Sequence, residues 1–190
     1  FLHQSDVTFD LANNEVEIHG NTSEPWKVTL LDTGQDTMTG GRIRRAKEFL
    51  NNEPFMLTYG DGVCDIDFNQ LLKFHQSHGK VATVSTVQPE GRFGMLSSDS
   101  QGEVQSFEEK PAGDGGWINA GFFVCQPEIF DYIPVGDDIS FELDPIQNLI
   151  DGNQLHSFHH HGFWKCMDTL RDKNQLEQAW LKGAAPWRSW

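Results

Sequence analysis

The sequence predicts an α/β fold: a mixed, mostly parallel sheet flanked by helices, with a small antiparallel insertion. Three observations lead there. A strand-like run at 54–60 is followed by a helical pattern and then by a β-branched run at 80–87, the succession of a βαβ unit with a right-handed crossover. Short strand-like runs at 93–98, 104–109 and 117–125 are separated by turn chemistry such as Gly113-Asp114-Gly115-Gly116, which reads as an antiparallel insertion. Helical patterns return at 141–150 and 169–182, flanking a strand pair at 155–160 and 163–167.

Taken in order, residues 26–31 read as a strand ending at Asp32-Thr33-Gly34, and the mixed basic and apolar pattern of 41–50 suits a helix. Phe55-Met56-Leu57-Thr58-Tyr59 is almost wholly apolar or aromatic, as expected of a strand covered on both faces. Phe68, Leu71, Leu72 and His75 then recur at helical spacing behind the capping candidates Asp65 and Asp67. Thr169 with Asp172 spells a capping box for the last helix. No repeat, Pro-rich linker or low-complexity stretch divides the chain, so 1–190 is expected to be one domain.

A hydrophobic share of 37% with six Trp and fourteen Phe suffices for a packed core. The net charge of -14, spread without long runs of one sign, repels polyanions and argues against nucleic acid or an anionic membrane as partner. No apolar stretch reaches the roughly 18 residues of a membrane helix, and no signal peptide opens the chain. Cys64, Cys125 and Cys166 have no C-x-x-C spacing and cannot all pair, which points to free thiols in the cytoplasm. The chain starts in mid-pattern with no initiator Met, so its beginning is expected to be a truncation.

The strongest local feature is Tyr59-Gly60-Asp61-Gly62, a carboxylate between glycines at the carboxyl end of a strand, where ligands of open α/β sheets gather. Asp61 offers hard oxygen suited to Mg²⁺, although an ordinary tight turn explains the same pattern. Asp168 stands at a second strand-to-helix junction and could share that ion or simply cap a helix. Arg42 follows Thr39-Gly40-Gly41 at a helix amino end, which favours an anion, whereas Arg44, Arg45 and Lys47 suit a solvated helix face. Lys110, in Glu108-Glu109-Lys110-Pro111, is either a point charge for a sugar phosphate or half of a surface ion pair. His159, His160 and His161 alternate between strand faces and cannot all bind one ion. Asp65-Ile66-Asp67 matches the D-x-D of metal-dependent glycosyltransferases, which leaves that class open beside a non-catalytic module binding sugar phosphate or a partner.

Met38-Thr39-Gly40-Gly41-Arg42, Tyr59-Gly60-Asp61-Gly62, Glu109-Lys110-Pro111, Asn119-Ala120-Gly121-Phe122-Phe123, Gly162-Phe163-Trp164 and Met167-Asp168-Thr169-Leu170-Arg171-Asp172-Lys173 occur in the order of the glucose-1-phosphate cytidylyltransferase family, which the whole chain resembles. The resemblance implies a Rossmann-like nucleotidyltransferase fold and a reaction of CTP with α-D-glucose 1-phosphate giving CDP-glucose and pyrophosphate, for lipopolysaccharide O-antigen synthesis. It implies nucleotide or substrate contacts at Thr37, Arg42 and Gly60, and Mg²⁺ on Asp61 and Asp168. It further implies glucose phosphate near Glu109, Lys110, Asn119 and Gly121, and a homo-oligomer. The family's G-G-x-G-T-R loop, which holds the triphosphate, does not occur in these 190 residues, so the N-terminal βα units are expected to be missing and the 190-residue chain alone to be inactive.

Overall fold

The computed structural model describes residues 6–19, 26–89, 94–108 and 116–188. The chain separates into two units, Phe1–Asp32 and Thr33–Trp190. The first holds a hairpin that the sequence reading missed: β1 (Asp6–Asp10) pairs antiparallel with β2 (Glu15–His19), Asp6 opposite His19 and Asp10 opposite Glu15. Its turn is pinned by Asp10, whose carboxylate accepts from the Ala12 and Asn13 amides, and by Asn14 at φ 56. The strand expected at 26–31 does not form. Those residues pair with no strand among the described residues, and Val28 and Leu30 stay 70% and 91% exposed. An apolar and β-branched run makes a strand only where another edge accepts its hydrogen bonds.

In the second unit α1 (Thr39–Arg45) leads through a 3₁₀ turn (Lys47–Phe49) to β3 (Phe55–Thr58) and β4 (Gly62–Cys64). Then come α2 (Phe68–His78), β5 (Ala82–Val87), the hairpin β6 (Met95–Ser98) and β7 (Val104–Glu108), and β8 (Ile118–Cys125). A 3₁₀ turn (Pro127–Asp131), α3 (Asp144–Asp151), β9 (Leu155–His159), β10 (Trp164–Cys166) and α4 (Leu170–Leu181) complete it. The main sheet runs β3-β8-β5-β9. Because β3 and β5 are each antiparallel to β8, they are parallel to one another, and β9 is parallel to β5. The expected mixed sheet is therefore present, with three of its four strands pointing the same way and β8 antiparallel between two of them.

Three assignments change. β8, expected in the antiparallel insertion, is a central strand of the main sheet, while β6 and β7 alone form a separate hairpin. The stretches at 155–160 and 163–167 do not pair with each other: β9 joins β5 and β10 joins β4. β3 lies at the sheet edge and is covered on one face only, since Phe55 and Leu57 pack on the core while Met56 is 47% exposed.

Alternation along the strands sorts the core into two layers. Phe123 and Cys125 of β8 and Ala82 of β5 face Ile129, Phe141 and Leu149, with Phe123 and Phe141 edge to face at 5.5 Å. Val124 faces the other way, onto Leu71 of α2 and Ile66. Helix α2 starts where the Asp67 carboxylate accepts from the Asn69 and Gln70 amides, and it stops at Gly79 in the left-handed region, φ 62. The Thr169 and Asp172 capping box opens α4 as expected.

Under α2 two neutral histidines converge on one hydroxyl oxygen. The Lys80 amide donates to His78 Nδ1, so His78 Nε2 carries the proton and donates to Thr83 Oγ1 at 2.7 Å. The buried His75 donates to the same oxygen from Nδ1 at 2.8 Å, because the Gln126 side-chain amide donates to His75 Nε2 at 2.9 Å and leaves the ring proton on Nδ1. Burial lowers the pKa of both rings, His78 to about 4, with neighbouring His156 adding repulsion there. Both therefore bind protons more readily once the chain unfolds. Their contribution is complete above the ordinary value of 6.5 and is lost as pH falls towards about 4. We expect His78→Gln to lessen the fall in urea midpoint between neutral and mildly acidic pH. The contribution of the half-exposed His78 is on the order of 1 kcal/mol after allowance for solvent screening. An unchanged pH slope in the variant refutes the assignment.

Candidate active site

Strand β3 is followed by Tyr59, whose amide donates to the Gly121 carbonyl at 3.0 Å, and the chain turns through Gly60 and Asp61 into β4. The β4–β10 ladder pairs Gly62 with Cys166, and the Met167 amide donates to the Asp61 carbonyl at 2.8 Å. That bond carries the pairing one residue further and brings the Asp61 turn and the Asp168 junction to the same end of one ladder. The Asp168 carboxylate accepts from the Cys166 thiol at 3.0 Å. Burial, and then this bond, push that thiol above its ordinary value. A cavity of about 320 Å³ opens beside the turn, lined by Gly60, Asp61, Val63, Met167, Lys173 and Trp187 among others.

The donors here are hard carboxylate oxygens, and no group of three or more His, Cys, Asp or Glu is gathered among the described residues. This set suits Mg²⁺, which takes one or two protein carboxylates and completes its shell with water and phosphate oxygens. It does not suit a structural zinc site, which takes four protein ligands.

Beside the turn lies a polar network centred on Glu142. Its carboxylate accepts from the hydroxyls of Tyr59, Thr39 and Ser140, each at 2.7 Å. Burial raises the Glu142 carboxyl, but the three donors outweigh it and hold the group below its ordinary value. Burial and the bond to Glu142 push the Tyr59 phenol well above its own. Asn119 donates its amide to the Tyr59 oxygen at 3.2 Å and accepts from the Gly121 amide at 2.8 Å. Gly121 lies where the β5–β8 register shifts, at φ 80, and a Cβ there would sit 2.7 Å from the Tyr59 ring.

Arg42 donates to the Thr33 hydroxyl at 2.6 Å and the Gln35 carbonyl at 3.1 Å, which clasps the loop before α1. Thr37 is buried against Gly34 and Gly41. The solvated face expected for Arg44, Arg45 and Lys47 holds for the exposed Arg45, which pairs with Asp137, and Lys47, which lies over the Phe130 ring, whereas the part-buried Arg44 donates to the Phe130 and Ile133 carbonyls. Glu109 and Lys110 lie outside the described residues.

The alternative metal motifs are engaged elsewhere. Asp67 caps α2, and Asp65 pairs with His160 at 2.8 Å. His159 bonds Thr86 and lies tilted against Trp117 at 4.0 Å, while His161 meets the same Trp117 edge-on at 5.2 Å. Glu142 and the role of Tyr59 escaped sequence reasoning, because the two partners are 83 residues apart and nothing local marks the glutamate as a hub.

The chain matches the Nucleotidyl transferase family over residues 10–179. It is 50% identical to the glucose-1-phosphate cytidylyltransferase of Salmonella typhi, across 100% of this chain and 74% of that protein. It is 39% identical to a probable glucose-1-phosphate cytidylyltransferase of Bacillus subtilis, across 98% of this chain and 72% of the relative. Among solved structures, HddC from Yersinia pseudotuberculosis superposes with a TM-score of 0.54 at 24% identity, covering 76% of this chain and 63% of that one. A UDP-glucose pyrophosphorylase complexed with UDP-glucose gives 0.57 at 15% identity, covering 80% and 64%. These two likenesses bear on the fold alone. The chain belongs to the nucleotidyl transferase family and, within it, to the glucose-1-phosphate cytidylyltransferases.

Proposed function

We infer that the protein transfers a cytidylyl group from CTP to α-D-glucose 1-phosphate, giving CDP-glucose and pyrophosphate. The observation that carries this is the 50% identity over the whole chain, a span that takes in the Asp61 turn and the Asp168 junction. A phosphate oxygen of the sugar phosphate attacks the α-phosphorus of CTP in line. The bond from that phosphorus to the bridging oxygen breaks, and pyrophosphate leaves with its electron pair. No protein nucleophile is required, so positioning and charge neutralisation carry the catalysis.

The residues divide that work. Asp61 and Asp168 would hold Mg²⁺, which when bound supplies positive charge to the phosphates. Asn119 and the Gly121 backbone would face the acceptor, with Lys110 and Glu109 beside it; Thr37, Arg42 and Gly60 would flank the nucleotide. Local cations matter in a protein of net charge -14, because two polyanionic substrates must meet there. We place the enzyme in the cytoplasm, since its three free cysteines suit a reducing compartment, and read it as a homo-oligomer that supplies CDP-glucose for O-antigen lipopolysaccharide.

The test is to incubate the full-length gene product with CTP and glucose 1-phosphate and follow CDP-glucose and pyrophosphate. Consumption of a nucleotide sugar with release of nucleoside diphosphate, and no CDP-glucose, would sink this reading in favour of a glycosyltransferase. Lys110→Ala is expected to raise KM for glucose 1-phosphate about tenfold, the loss of roughly one charged contact, with the melting temperature unchanged. Unaltered kinetics would reject the phosphate role.

A further inference from the structure

We propose that Glu142 is a positioning residue for the acceptor sugar phosphate, acting through Tyr59 to fix which way the Asn119 amide points. The inference rests on the reading above that Asn119 faces the acceptor. The argument is one of hydrogen-bond polarity. The Glu142 carboxylate sits below its ordinary pKa and can only accept, so the Tyr59 hydroxyl must donate its single proton to it. The Tyr59 oxygen is left as an acceptor, and Asn119 must turn its NH₂ end towards it. From the other side the Gly121 amide can only donate, so it demands the Asn119 carbonyl oxygen. Both constraints select the same amide rotamer, with one N–H of Asn119 uncommitted among the described residues.

The same carboxylate also accepts from Thr39, at the start of the helix that carries Arg42, and the Thr39 oxygen in turn accepts from the Phe141 amide at 2.8 Å. Glu142 thereby links the helix of Arg42, the turn of Asp61 and the strand of Asn119. Without it the Tyr59 hydroxyl can rotate and become a donor towards Asn119. The amide then keeps only the Gly121 N–H to select its orientation and is held against Tyr59 less firmly.

The experiment is steady-state kinetics of the full-length gene product with Glu142→Ala, Tyr59→Phe, their double variant, Glu142→Gln and Asn119→Ala. We expect Glu142→Ala and Tyr59→Phe each to raise KM for glucose 1-phosphate about tenfold, as for one lost oriented hydrogen bond, while KM for CTP stays put. The double variant should be no worse than either single one, because both cut one chain. Glu142→Gln, which keeps an oxygen acceptor for Tyr59, should restore most of the loss. A purely structural role would instead lower the melting temperature and leave the two KM values in proportion, which would overturn the proposal. So would additive effects in the double variant. If Glu142→Ala does not fold, Tyr59→Phe carries the test. If Asn119→Ala leaves KM for glucose 1-phosphate unchanged, the acceptor reading itself fails. If Asn119→Ala raises it while Glu142→Ala and Tyr59→Phe do not, only the positioning role fails.

Discussion

Asp61→Asn and Asp168→Asn should each lower kcat for CDP-glucose synthesis by about 10²- to 10³-fold, the loss typical of removing one group that acts on developing transition-state charge. Both substitutions keep shape and hydrogen bonding while removing the negative charge that a hard cation requires. The backbone bond from Met167 to Asp61 does not involve the side chain, so the ladder between β4 and β10 should survive in the Asp61 variant. If the two carboxylates serve one ion, the double variant falls little below the single ones, since the second loss removes a partner that is already idle. The Mg²⁺ concentration needed for half-maximal rate should also rise in each single variant. Wild-type kinetics and Mg²⁺ dependence in either one would remove that carboxylate from the site. Fully multiplicative losses would assign the two to separate tasks.

What could be read from the sequence divides along the range of the interactions. Helices α2 and α4 were legible because their signals are local: Asp67 caps two amides within three residues, and Thr169 reaches Asp172 within one turn. The turn bearing Asp61 was legible because two flanking glycines mark it. Strand pairing was not, because it depends on partners far along the chain. β8 reads as one more short strand in a turn-rich region, yet it pairs with β3 on one side and β5 on the other. Residues 26–31 carry a strand pattern and find no edge among the described residues. Arg44 shows the same limit for side chains: its position on a basic helix suggests solvent, while its acceptors are 86 and 89 residues away. The sequence singles out Asp61, Asp168 and Asn119 by motif, and nothing local marks the glutamate that hydrogen-bonds Tyr59 beside them.

Gly121→Ala should destabilise the protein by about 3 kcal/mol, from roughly 1–2 kcal/mol for an L-residue in the left-handed region and a comparable cost for crowding a packed ring. The backbone cannot relax to avoid either cost. The Gly121 amide is tied to the Asn119 oxygen and its carbonyl to the Tyr59 amide, so φ is held at 80 from both sides. A Cβ at that position meets the Tyr59 ring at 2.7 and 3.2 Å, and the ring must move. Moving it withdraws the hydroxyl from Glu142 and the acceptor from Asn119 together, so use of glucose 1-phosphate should fall further than in Glu142→Ala, by about 10²-fold on the scale of two oriented contacts. Gly60→Ala is the matching control, since a Cβ there meets nothing within 4 Å, and its urea midpoint should stay close to that of the wild type. A Gly121→Ala protein that unfolds at the wild-type midpoint would show that β8 can release Gly121 from the left-handed region, and the rigid placement of Tyr59 and Asn119 would fall with it.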